Sequence, residues 1–162
     1  MTSIAIIPAR GGSKRLKRKN VINFYGSPII SYTINAALKS GCFDRVVIST
    51  DDKEIFKISK KYHHDVVLRS KDLGSDKSTV ADVCYNFLKL EKKINNHYDF
   101  MTVLYPTSPM RNSKDIVKVV NKLFNDGCTS SLAVTTFSLP VHQALILKND
   151  KIKKAFPNLY DL

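Results

Sequence analysis

Residues 3–9, SIAIIPA, are apolar or small almost without interruption, the pattern of a strand buried on both faces, and they run directly into a basic, glycine-containing stretch. Ser27 and Pro28 then offer a cap and a first-turn proline for a helix, in which Ile30, Ile34, Ala37 and Leu38 recur at helical spacing until Gly41. The cycle repeats. RVVIST at 45–50 predicts a second buried strand, followed by a helix on Ile55, Ile58, Ser59 and Tyr62 that Asp51 is expected to cap. Asp65 to Leu68 predicts a third strand, a polar loop follows to Lys77, and Val83, Cys84, Phe87 and Leu88 mark the next helix. Residues 99–105 predict a fourth strand, and Pro106 and Pro109 in PTSPMRN interrupt regular structure. Ser113 is then expected to cap a helix with Ile116, Val119, Val120, Leu123 and Phe124 on one face, ended by Gly127. SSLAVTTF at 130–137 predicts a fifth strand, and LILKNDKIKKAF a hairpin turning at Asn149-Asp150.

Strands alternating with helices demand crossovers and a mostly parallel sheet covered on both faces, so the expected fold is a three-layer α/β/α architecture. A length of 162 residues fits one domain, 1–162, with a hairpin arm at about 138–156. In such sheets ligands bind beyond the carboxyl ends of the strands. The loops at 10–20, 69–79 and 106–111 leave those ends and are expected to converge on one crevice.

Composition narrows the partners. No apolar stretch approaches the ~18 residues of a membrane helix, and the run from Ile4 to Ile7 stops at Pro8, so neither a membrane span nor a signal peptide is expected. Cys42, Cys84 and Cys128 lie too far apart for a redox motif or a metal site, which suggests a reducing, cytoplasmic compartment. Lys and Arg outnumber Asp and Glu by 26 to 14, a net charge of +12 that favours an anionic partner. The charge is uneven. The first acidic residue is Asp44, and Arg10, Lys14, Arg15, Lys17, Arg18 and Lys19 crowd the first loop.

That loop, ARGGSKRLKRKN at 9–20, has glycines that let backbone amides approach a phosphate and side chains that neutralise it. Gly11 and Gly12 are adjacent, so it is not a P-loop, and the spacing of the dinucleotide fingerprint is missing as well. A solvated basic turn or a nucleic-acid patch is the plainer reading. No nucleic-acid motif accompanies the cluster, however, and aromatic residues are not interleaved with it.

IIPARGGSKRLKRKN, VVLRSKDLGSD at 66–76 and YPTSPMR at 105–111 together resemble the N-acylneuraminate cytidylyltransferases, enzymes that activate nine-carbon acidic sugars with CTP. The resemblance implies a Rossmann-like nucleotidyltransferase fold with a C-terminal dimerisation hairpin, CTP and a nonulosonic acid as substrates, Mg2+ as cofactor and a homodimer. It implies that Arg10 and Lys19 hold the triphosphate, that Ala9, Gly12, Ser13 and Lys14 shape the loop around it, and that Asn20 faces the ribose. Arg69, Ser78 and Thr79 would lie against the cytosine; the alternative is that Arg69 caps a helix end and Ser78 caps the following helix. Tyr105, Thr107 and Ser108 would line the sugar site, with Arg111 placed to meet a carboxylate. The sialic acid enzymes usually carry glutamine at the position of Tyr105, so legionaminic or pseudaminic acid is equally admissible, and Tyr105 could also simply pack against the next helix. Arg15, Lys17 and Arg18 are left as steering charge or surface. The family's Asp-x-Asp metal pair has no counterpart in these residues, the chain being C-terminally short by comparison, so the metal ligands are unassigned. A catalytically impaired nucleotide-binding relative is therefore the alternative reading, and a polyanion-binding module the third.

Overall fold

The computed structural model describes residues 1–136, 144–149 and 151–156. In chain order the elements are β1 (Ser3–Ala9), β2 (Asn23–Phe24), β3 (Ser27–Pro28), α1 (Ile29–Ser40), β4 (Arg45–Thr50), α2 (Lys53–Lys60), β5 (Val66–Leu68), α3 (Val80–Lys93), β6 (Phe100–Val103), α4 (Ser113–Asn125), β7 (Leu145–Lys148) and β8 (Lys151–Lys154). Single 3-10 turns occupy Lys19–Val21 and Lys71–Gly74. The chain divides into two compact units, Met1–Ser131 and Leu132–Leu162.

In the first unit four strands pair in the order β5-β4-β1-β6, all parallel. Successive side chains of a strand point to opposite faces, and β1 uses both. Ala5, Ile7 and Ala9 join a core with Ile30 and Ile34 of α1, Ile55 of α2 and Ile116 of α4, while Ile4 and Ile6 pack with Cys84 and Phe87 of α3. That division is the expected three-layer α/β/α fold with a parallel sheet. The strand order reverses between β1 and β6, which makes the loops after these two strands the flanks of a topological switch point.

The helix starts differ from expectation, each for an identifiable reason. Asp52 rather than Asp51 caps α2, its Oδ1 accepting from the amides of Glu54 and Ile55 at 2.9 Å each, because Asp51 is drawn to Arg69. Asn112 rather than Ser113 caps α4, since only the residue three positions before Asp115 can close a reciprocal capping box with it. The same box selects Thr79 with Asp82 at α3, not Ser78. Ser27 does not cap α1; it pairs with Phe24 in the small β2-β3 ladder, and α1 follows Pro28 without a side-chain cap.

In the second unit β7 and β8 form the expected antiparallel hairpin, with Lys148 opposite Lys151. Asn149 at φ 51° supplies the left-handed turn residue that a two-residue connection favours. The strand expected at 130–137 is not formed: residues 130–136 pair with no other strand, and Leu132 and Val134 are exposed. An apolar run becomes a strand only where a neighbour takes its hydrogen bonds and covers a face. Phe137 and the first part of the hairpin arm, 138–143, lie outside the described residues.

Candidate functional site

The sheet register assembles the site. Ala9 pairs with Thr50 and Thr50 with Leu68, so the next residues of three neighbouring strands, Arg10, Asp51 and Arg69, emerge side by side at the carboxyl edge. Arg69 is almost fully buried, and its Nη2 donates to Asp51 Oδ1 at 3.1 Å. Its Nη1 donates to the Ser49 carbonyl and its Nε to that of Leu73 at 3.3 Å. Burial pushes its pKa down, with the Asp51 carboxylate opposing the shift. Arg69 is thus the strut between β4 and the loop at 69–79, and each guanidinium nitrogen has a partner within the protein.

Two aspartates lock the loops together. Asp51 also accepts from the amide of Gly11 at 3.3 Å, and Asp52 accepts from Arg18 Nη1 at 3.3 Å while Arg18 Nη2 pairs with Glu54. A Cβ on Gly11 would sit 2.6 Å from Asp52 Oδ2, and one on Gly74 would collide with Asp51. These glycines are required by carboxylates of the protein itself. Gly12 is exposed, with only the Gly74 carbonyl 3.9 Å from a would-be Cβ, and keeps the open approach expected of a phosphate loop. Arg18, read from the sequence as steering charge or surface, is an ion-paired residue at the start of α2.

The first and second loops meet at Asp76. Arg10 Nη1 lies 3.1 Å from Asp76 Oδ1, and the Lys14 ammonium pairs with Asp76 Oδ2. Lys14, with Arg10 beside it, holds the Asp76 carboxyl below the usual carboxylate range. Arg10, Arg69, Ser75, Ser78 and Thr79 line a cavity of about 60 Å3, well under the ~300 Å3 of ordinary ligand pockets. Ser78 Oγ is buried there without a hydrogen-bond partner. A larger open groove, of about 510 Å3, lies at the amino ends of β1 and β4 by Met1, Asp44 and Phe100, away from these side chains.

The remaining candidates fall into two groups. Asn20 is buried and its Nδ2 donates to the Arg10 carbonyl at 2.8 Å, so it braces the basic loop from behind. Lys19 is half-buried and makes no ion pair or hydrogen bond among the described residues, Ser13 lies in the same loop with its amide donating to the Gly11 carbonyl, and Ala9 is buried as the last residue of β1. After β6, the Tyr105 carbonyl accepts from Thr33 Oγ1 at 3.3 Å and from Arg111 Nη2 at 3.1 Å, tying the turn to α1. Tyr105 is exposed, and Thr107 and Ser108 are half-buried. Arg111 bonds to neutral oxygens, with burial pushing its pKa down and its Nε left without a partner. No hydrogen bond or ion pair among the described residues joins this turn to Arg10 or Arg69.

Sequence reasoning missed Asp76 and Thr33. Asp76 had a signal, being an acid in the loop opposite the basic one. The described residues do not fit a magnesium site: they contain no group of three or more potential ligands, and Asp51 and Asp52 are each engaged by an arginine.

Fold, edge and basic loop together define an α/β protein whose candidate site lies at the carboxyl edge of its parallel sheet. The cytidylyltransferase family model matches residues 4–158, and the chain belongs to that family. It is 41% identical over 152 residues to the pseudaminic acid cytidylyltransferase of Campylobacter jejuni subsp. jejuni serotype O:2, covering 93% of this chain and 65% of that protein. It is 39% identical over 117 residues to the N-acylneuraminate cytidylyltransferase of Escherichia coli O18:K1:H7, covering 72% of this chain and 27% of that one. The chain thus spans just under two thirds of the first of these relatives. Its fold matches a CMP:2-keto-3-deoxy-manno-octonic acid synthetase complexed with CTP at a TM-score of 0.64 and 21% identity, over 78% of this chain and 49% of the other.

Proposed function

We propose that this protein activates a nonulosonic acid with CTP: the anomeric hydroxyl attacks the α-phosphate, the cytidine monophosphate sugar forms and pyrophosphate leaves. The observation that carries the reading is the basic loop itself, placed at the carboxyl edge of a cytidylyltransferase sheet with Arg10 and Lys14 directed to one point. Charge builds on the phosphate oxygens as the bond to pyrophosphate breaks, and cations fixed beside them lower that barrier. Arg10 suits a two-pronged clamp, and Lys14 and the unpaired Lys19 suit single contacts. Arg69, Ser78 and Thr79 would flank the cytosine, with Asn20 holding the loop toward the ribose and Tyr105, Thr107 and Ser108 toward the sugar. Similarity to the pseudaminic acid enzyme runs over 93% of the chain against 72% for the N-acylneuraminate enzyme, so pseudaminic acid is the first sugar to offer.

Magnesium remains the expected companion of the triphosphate, without a ligand set among the described residues. No described helix is long and apolar enough to cross a membrane. A cytoplasmic enzyme without nucleic-acid or membrane partners belongs to our reading, resting on the wide spacing of Cys42, Cys84 and Cys128. A homodimer through the hairpin is part of the same reading. Leu145, Leu147 and Ile152 share one face of it and are 59, 72 and 71% exposed, an apolar edge that calls for a partner. Replacing Leu147 and Ile152 by lysine should convert a dimer into a monomer by sedimentation at micromolar concentration; an unchanged mass would remove the hairpin from the interface.

The decisive experiment pairs binding with turnover. In thermal shift, CTP at ~100 times its Kd should add about 2.7 kcal/mol of stability, with UTP and ATP adding much less. Equal shifts from every polyanion would replace this reading with unspecific charge binding. In a pyrophosphate-release assay Arg10→Ala and Lys19→Ala should each lose about 100-fold or more of turnover with the fold intact. Near-normal release from both would refute the assignment.

A further inference from the structure

We propose that Asp76 is an internal stand-in for the triphosphate: it occupies the Arg10 and Lys14 cations in the empty protein and must be displaced by the incoming polyphosphate, which opens the 69–79 loop. This rests on reading Arg10 and Lys14 as triphosphate-binding groups. Four observations converge on it. Asp76 is the carboxylate that both cations reach, one to each oxygen. The cavity that Arg10 lines with Ser75, Ser78 and Thr79 holds only about 60 Å3, too little for a nucleotide with the loop in this position. Ser78 Oγ, two residues further along, is buried in that cavity without a partner, the state of a donor whose acceptor has yet to arrive. And the loop is tethered at its base, by Arg69 to Asp51 and by the 3-10 turn at Lys71–Gly74, but beyond Gly74 its ties to the first loop are those two exposed ion pairs.

The contact has a chemical consequence for selectivity. A carboxylate carries one negative charge and satisfies both cations at once. Orthophosphate offers little more charge at a single centre and competes poorly, whereas a triphosphate spreads several charges along a chain and can engage Arg10 and Lys14 on separate oxygens. Asp76 therefore sets a threshold that every anion must cross, reducing each affinity by the same factor, so that the weaker orthophosphate falls below useful binding first. Exposed ion pairs are individually weak, so the threshold is low enough for the substrate to cross.

The test measures binding of inorganic tripolyphosphate and of orthophosphate by calorimetry at fixed salt, with no nucleoside present. Asp72→Asn is the control, since Asp72 lies in the same loop, carries the same charge and makes no ion pair among the described residues. Asp76→Asn should bind tripolyphosphate about three- to tenfold more tightly than the wild type, and orthophosphate should gain by about the same factor, since both must displace the one carboxylate. Asp72→Asn should change either affinity by less than about twofold. Amide exchange at Ser75 to Lys77 should quicken when tripolyphosphate is added to the wild type, because the loop is released. A gain in Asp76→Asn no larger than in Asp72→Asn, weaker binding in Asp76→Asn, no tripolyphosphate binding by either protein, or exchange that slows at Ser75 to Lys77 would each overturn the proposal. Since no cytosine is involved, failure here is separable from failure of the CTP assignment, which the nucleotide comparison reads on its own.

Discussion

Arg45 shows how one side chain can hold several elements in place. At the start of β4 its Nε donates to Asp65 Oδ2 at 2.6 Å and its Nη1 to Tyr98 Oη at 2.8 Å and to Glu91. Glu91 is buried at the end of α3 and also accepts from Asn96 Nδ2 at 2.8 Å and from the Tyr98 hydroxyl at 3.0 Å. The hydrogen bond to Asp65 leads the effects that raise the Arg45 pKa, keeping it charged at any working pH, and burial pushes the Tyr98 hydroxyl up. A buried carboxylate stripped of its cation is costlier than the pair was favourable. Arg45→Met should therefore lose ~3 kcal/mol in urea unfolding, and adding Glu91→Gln to it should recover part of that loss. A loss under about 1 kcal/mol, or a double variant less stable than Arg45→Met, would show that Glu91 does not depend on Arg45. None of this network was visible in the sequence, where Arg45, Asp65, Glu91 and Tyr98 are separated by up to 53 positions.

Elements were legible where the signal was local and obscured where a neighbour decided the outcome. The strands β1 and β4 and the helices α1, α3 and α4 follow from apolar spacing, because a face that must be buried writes its period into the chain. Helix starts were misplaced by one residue at α2 and α4, as was the alternative cap Ser78 at α3, because two adjacent polar residues compete for each cap. At α3 and α4 the winner is set by the acid three positions on, Asp82 for Thr79 and Asp115 for Asn112, a rule the sequence itself contains. At α2 the choice is tertiary: Arg69 draws Asp51 away and leaves Asp52 for the helix. The unformed strand at 130–136 is the opposite case, a local preference with no neighbouring strand to realise it. The candidate site divides along the same line. That the 10–20 and 69–79 loops would meet followed from the alternation of strands and helices; Asp76 as their meeting point had only its charge as a signal, since a contact across 66 residues leaves no period to read.

At the scale of the molecule, charge is the property that the individual contacts do not exhaust. Among the six cations between residues 10 and 19, Arg10 and Lys14 are turned to Asp76, Arg18 is bound to Asp52 and Glu54, and Lys19 is half-buried. Arg15 and Lys17 are exposed and make no ion pair among the described residues. They lie in the loop after β1 of a protein of net charge +12, where their field reaches outward over about 8 Å at physiological salt. Such charges act on the encounter with an anion and leave the bound state little altered, because solvent screens them once the ligand is seated. Replacing both by glutamine should slow CTP association a few-fold at about 20 mM salt, with the difference shrinking toward none at about 0.5 M, while turnover at saturating CTP stays unchanged. Stopped-flow binding across a salt series would read the first effect and steady-state assays the second. A fall in saturated turnover would place Arg15 or Lys17 on the reacting phosphates instead, and a salt-independent association rate would show that the basic loop does not steer its ligand.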